Sequence, residues 1–179
     1  MATPNLQHEL GKRKPFDAPE QEAFLNMIRT VSVLSAAFQR LFRAHKLSES
    51  TYNALRILRG AGSDPESKGV RTCSEIGEHL VAQVPDVTRL IDRLEELGFA
   101  ERVRCDKDRR VVHVKITRKG LDLLAKLDEP LLELHRTQLR HLTRSELVEL
   151  SRLLVKARMG EATTPAVARG DLAGEVMSN

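Results

Sequence analysis

Tryptophan is absent from this 179-residue chain, and aromatic residues make up only 3% of it. Any core must therefore be aliphatic, chiefly leucine. Two cysteines, Cys73 and Cys105, are too few for a disulfide framework, and a reducing cytoplasm is the expected setting. No apolar run approaches the roughly 18–20 residues of a membrane span. The opening run MATPNLQHELGKRKPF lacks the apolar centre of a secretory signal. The six histidines show no HExxH spacing and the cysteines no paired CxxC, so no metal site is expected. Neither a GxSxG elbow, a glycine-rich phosphate loop nor a separated Ser-His-Asp set stands out. An enzyme is not expected, nor a cofactor.

What is present is an ordinary globular balance, 41% hydrophobic and 30% charged, with a mildly basic net charge of +4. The distribution of charge says more than its sum. Between positions 102 and 119 stand Arg102, Arg104, Lys107, Arg109, Arg110, Lys115, Arg118 and Lys119, against only Asp106 and Asp108. Concentrated basicity of this kind is a footprint of nucleic-acid binding.

Periodicity divides the chain. Residues 1–19 are polar, without a sustained period, and read as a flexible arm. Over 20–47 the residues Phe24, Met27, Ile28, Val31, Leu34, Phe38, Leu41 and Phe42 recur at three and four, predicting a long amphipathic helix whose wide stripe calls for a partner helix. Ser48 is placed to cap a second helix that ends at Gly60 and Gly62. TCSE at 72–75 spells a capping box for a short third helix. VPDVTRLIDRLEELGF then predicts a helix over Val84–Leu97, with Pro85 in its first turn and Gly98 as a left-handed terminator. Alternation over ERVRC and VVHVKI predicts a hairpin with DKDRR at its tip, anchored by Val112, Val114 and Ile116. Thr117 opens a leucine-rich helix that Pro130 should kink or break, and TRSE at 143–146 starts the last helix. Residues 160–179 read as a mobile tail.

Short helix, turn, capped helix and hairpin form a winged helix-turn-helix lobe over 48–117. Long dimerisation helices precede it (20–47) and follow it (118–159), so the fold class is mainly α with a small β-hairpin wing. On the helix 84–97, Thr88, Arg89 and Arg93 lie away from the apolar stripe. Arginine suits bidentate contact with guanine, and threonine meets a thymine methyl or a phosphate. Taken alone, that face is equally an ordinary solvated one. The hairpin tip offers Lys107, Arg109 and Arg110. An arginine suits the narrow, strongly negative minor groove, and Asp108, two positions before Arg110, is placed to brace it. A charged tip also simply blunts edge-to-edge aggregation.

The run DVTRLIDRLEELGFAERVRCDKDRRVVHVKITRKG resembles the signature of MarR-type (multiple antibiotic resistance) regulators. The matching positions are Thr88-Arg89-Leu90, Arg93-Leu94-Glu95, Gly98, Arg102, Asp108-Arg109-Arg110, and Thr117 with Gly120. The resemblance spans residues 20–158. It implies a homodimer joined by the first and last helices and a double-stranded, pseudo-palindromic operator read by Val84–Leu97. It places Arg110 in the minor groove, with Asp108 supporting it. The implied role is a repressor released by a small aromatic or phenolic effector. The sequence departs from the family at Gln83 and Val84, where a serine is common, and Asp86 adds an acid near the phosphates. Phe38, Phe42, Tyr52 and Leu55 line an effector crevice or, as the favoured reading, plain core. Other readings stay open: a sequence-tolerant DNA-architectural protein, a winged-helix module that binds protein, and a redox-sensing regulator using Cys73 or Cys105.

Overall fold

The computed structural model describes residues 5–64, 69–104 and 111–159. By the packing of its backbone the chain forms two units, residues 1–136 and 137–179. Among the described residues no helix is long and apolar enough to cross a membrane.

The first unit opens with a helical turn, α1 (Leu6–Glu9), inside the stretch expected to be an arm. Asn5 caps it by accepting the His8 N–H, and Leu6 is buried. A single buried leucine has no period, so this turn left no mark in the pattern. Helix α2 (Pro19–Ala44) follows. It closes with Lys46 in the left-handed region, its N–H on the Arg43 carbonyl and that of Leu47 on the Phe42 carbonyl. Helix α3 (Glu49–Ala61) starts at Ser48, which shares reciprocal bonds with Thr51. Strand β1 (Arg71–Thr72) leads into α4 (Cys73–His79), whose Thr72–Glu75 capping box is formed as expected.

Helix α5 (Val87–Glu96) starts three residues later than the sequence reading placed it. Asp86 is in extended conformation and its carboxylate accepts the Arg89 N–H at 3.0 Å, so Asp86 is the cap and Pro85 lies outside the helix. The other end follows expectation. Gly98 has φ +72°, its N–H meets the Glu95 carbonyl, and the Phe99 N–H reaches back to the Leu94 carbonyl. That pair of bonds is a Schellman close.

Strands β2 (Ala100–Arg104) and β3 (Val112–Ile116) form the expected hairpin, but the sheet has three strands in the order β1-β3-β2. Arg71 pairs with Val114 and Thr72 with His113, antiparallel. Two residues are too short to show alternation. Val114 is fully buried and Ile116 packs on the core, whereas Val112, nearer the tip, is 40% exposed and anchors less than expected.

Helix α6 (Arg118–Leu139) runs through Pro130 without a break. Proline removes one i→i−4 hydrogen bond there, to Lys126. Both residues are exposed, so water can serve the freed carbonyl. The core gathers Leu55 and Leu58 of α3, Ile76 of α4, Ile91 and Leu94 of α5 and Leu124 of α6. Each such side chain contributes about 1.5–3 kcal/mol on burial. The last helix, α7 (Arg144–Met159), has its Thr143–Glu146 capping box formed but buries no residue.

Apolar surface is left uncovered on α2, at Phe24, Ile28, Val31 and Val33. Helix α7 leaves Val148, Leu150, Leu153, Val155 and Met159 exposed in the same way.

Candidate nucleic-acid interface

Helix α5 takes its place from both ends and from beneath. At its start, the Val81 N–H in the preceding turn donates to the Asn53 side chain of α3 at 2.7 Å. Gly77 of α4 lets α5 approach closely, since a Cβ there would lie 3.1 Å from the Val87 methyl. Ile91 and Leu94 are sunk into the core. Thr88, Arg89 and Arg93 are all exposed on the outward side, as their spacing predicts.

The arginines are paired with acids on their own helix. Arg89, 87% exposed in its side chain, sits 3.2 Å from Asp86, and Arg93 lies 2.9 Å from Glu96. Both pairs are solvent-facing, so each is worth at most about 1 kcal/mol.

Arg102 of β2 fastens the wing to α5. It shares the inward face of its strand with buried Ala100 and stands opposite Val114. Its backbone N–H donates to Glu95 at 2.8 Å, and its guanidinium binds Glu95 and also Asp92, the latter at 2.7 Å. Burial opposes its charge, but the hydrogen bond it donates to Asp92 and the charges of Glu95 and Asp92 outweigh that and raise its pKa. By sequence alone Arg102 is one member of a basic cluster and of a family motif. A clue lay in the alternation: a cation on the core face of a strand needs acids to meet it, and Asp92 and Glu95 are three apart on one helix.

A second joint ties the end of α5 to the root of α6. The Thr117 hydroxyl donates to the Gly98 carbonyl at 2.7 Å and accepts the Gly120 N–H at 3.1 Å. Lys119 donates to the Leu97 carbonyl at 2.8 Å, with its ammonium over the Phe99 ring. A Cβ on buried Gly120 would come within 2.3 Å of the Phe99 carbonyl oxygen, so only glycine fits.

The wing-tip candidates Lys107, Asp108, Arg109 and Arg110, with Cys105, lie outside the described residues. Cys73 borders a cleft of about 480 Å³ between α4 and α5, shared with Ser74, Gly77, Glu78, Gln83, Val84 and Val87. The crevice candidates are packed: Leu55 is fully buried, Phe42 is 3% exposed and stacks on Tyr52 at 4.6 Å, and Phe38 lies against His135. Among the described residues no three His, Cys, Asp or Glu side chains converge as a metal site would require.

A helix presented on one side of a lobe, clamped to a two-stranded projection with a basic sequence, has the shape and chemistry to enter a major groove. The family model that matches the chain, over residues 47–112, is that of the MarR family. A crystal structure of a MarR transcription factor from Planctomyces limnophilus is 40% identical, with 78% of this chain and 98% of that chain covered and a TM-score of 0.59. The transcriptional repressor IacR of Pseudomonas putida is 28% identical over 116 residues, 65% of either chain. The match thus spans slightly less than two thirds of that repressor. An organohalide-sensing transcriptional regulator in its 2,4-dichlorophenol-bound form has the same fold, with TM-score 0.72 at 21% identity over 83% of this chain and 86% of its own.

Proposed function

This chain belongs to the MarR family of transcription regulators, and from that premise we propose that it is a homodimeric repressor of a pseudo-palindromic operator, released by a small aromatic or phenolic ligand. The observation that carries the proposal is the exposed face of α5, held by Arg102 beside the β2–β3 wing. Thr88, Arg89 and Arg93 read base edges in the major groove. Lys107, Arg109 and Arg110 hold the flanking backbone and minor groove, with Asp108 as the support of Arg110.

Two half-sites about one DNA turn apart, roughly 34 Å, require two copies. The uncovered apolar faces of α2 and of α7 support dimerisation, each being covered by a second copy of the chain. Release by a ligand is carried over from the organohalide-sensing neighbour, whose structure is of the 2,4-dichlorophenol-bound form. The repressor role is carried over from the name of IacR.

Selection of bound duplexes from a random pool, followed by footprinting, tests the reading. A short palindromic protected site is expected. Diffuse protection would favour a DNA-architectural protein, and no protection would favour a protein-binding module. Repeating the selection with chlorophenols and aromatic acids should abolish recovery of the site in one condition.

A further inference from the structure

We infer that Asp86 and Glu96 are specificity-determining residues, which cancel the attraction of Arg89 and Arg93 for phosphate so that α5 engages DNA only through base contacts. The inference rests on the reading of α5 as a DNA-contacting helix.

With its cap, α5 carries two arginines, Arg89 and Arg93, against four acids: Asp86, Asp92, Glu95 and Glu96. Taken alone, that helix would repel a phosphate backbone. Arg102 changes the balance by reaching across from β2 to occupy Asp92 and Glu95. The acids that remain, Asp86 and Glu96, are those joined to Arg89 and Arg93. The outward face of α5 is therefore neutral, two cations against two anions. It is arranged as two local pairs at 3.2 and 2.9 Å.

Non-specific DNA binding is driven by cations that neutralise phosphates and release counterions. A cation already beside a carboxylate exchanges one anion for another and gains little. The displaced carboxylate also stays well within the Debye length of roughly 8 Å, where it repels the same backbone. A guanine edge differs, because its two acceptors accept both prongs of a guanidinium without adding a net negative charge. The pairs, being exposed and weak, open for that partner. Labour is thus divided: the basic wing segment supplies the salt-dependent pull, and α5 supplies selection.

Asp86→Asn and Glu96→Gln test this without disturbing the fold, since asparagine caps a helix as well as aspartate and glutamine matches glutamate in size. Affinity for a random-sequence duplex and for the duplex recovered by selection is measured against salt. Each substitution should tighten binding to the random duplex roughly three- to fivefold, the range of an exposed ion pair. The salt slope on that duplex should steepen by about 0.9 per freed arginine. The selected duplex should gain less, so the ratio between the two falls. An unchanged random-duplex affinity and slope, or an equal gain on both duplexes, overturns the inference. An Arg89→Ala/Arg93→Ala variant separates the layers. If it binds the selected duplex like the parent, the DNA-contacting reading of α5 fails. If it loses that duplex while the acid variants change nothing, only the present inference fails.

Discussion

Arg59 on α3 holds Asp128 on α6 with two guanidinium nitrogens, at 2.7 and 2.9 Å, although the two residues are 69 positions apart in the chain. Arg56 approaches the same carboxylate at 3.9 Å. A helix of the winged lobe is thereby tied to the helix that leaves it. The Arg59 hydrogen bond holds the Asp128 carboxyl below its ordinary range; burial opposes this, and the charges of Arg59 and Arg56 add to it.

The sign of the pH effect follows. A carboxyl with a depressed pKa in the folded state contributes stability above its unfolded value, about 3.9, and loses it as pH falls through the lower folded value. The side chains are 29% and 44% exposed, so screening limits the contribution to about 1 kcal/mol or less. Urea unfolding of Asp128→Asn against the parent should show that difference at pH 7 and a shrinking one below about pH 4. A difference that grew on acidification would contradict the pairing.

Gly120→Ala should destabilise the protein by about 3 kcal/mol, at the upper end for overpacking. The added carbon meets a backbone oxygen at 2.3 Å and Ile116 at 2.8 Å, and backbone yields less than a side chain. A change under about 1 kcal/mol in urea would mean that α6 and Phe99 part more easily than their packing suggests.

Arg102→Gln should cost about 1–3 kcal/mol, because it leaves Asp92 and the half-buried Glu95 without their charged partner. It should also weaken operator binding, since the wing and α5 lose their common fastening. Arg102→Lys keeps the charge but not the fork, so an intermediate result is expected for both. Equal values for lysine and arginine would show that charge alone suffices.

Val31→Glu places a carboxylate on an apolar α2 face where Val31 is 64% exposed. If a second copy covers that face, sedimentation should shift from dimer to monomer. Affinity for the full operator should fall by about a hundredfold as two-site binding is lost. A dimer that persisted would move the interface elsewhere.

Arg110→Ala should weaken binding to every DNA sequence and reduce the salt slope by about 1, whereas Arg89→Ala should cost about 1–3 kcal/mol at particular base positions. Fluorescence titration at several salt concentrations distinguishes the two patterns. An unaltered slope for Arg110→Ala would remove that arginine from the minor groove.

Most of the helical order was legible because caps and apolar spacing are local signals. Thr72 with Glu75, Thr143 with Glu146, and Gly98 each act within a few residues and behaved as their types demand. The failures share a cause. Asp86 caps α5 where Pro85 suggested an earlier start, and choosing between those two requires knowing where the preceding turn is held, by Asn53 far back in the chain. The pairing of β1 with β3 and the burial of Leu6 are likewise long-range. At the candidate interface, Thr88, Arg89 and Arg93 were visible as the residue types left over from an apolar stripe. The neutrality of their surface was not, because it depends on which acids Arg102 claims from another element.

The fastening of α5 to the base of α6, through Thr117 and Lys119 on the carbonyls of Gly98 and Leu97, turns the longer helix into a lever. Its 22 residues extend roughly 33 Å at 1.5 Å per residue. A tilt of about 2° at the joint carries a point at that distance by about 1 Å. The same gearing works in reverse: a displacement of an ångström far along the helix arrives at α5 as a small rotation. Under the proposed release by a small ligand, such an arm favours ligands that shift the distal end slightly over ligands that must wedge the winged lobe apart.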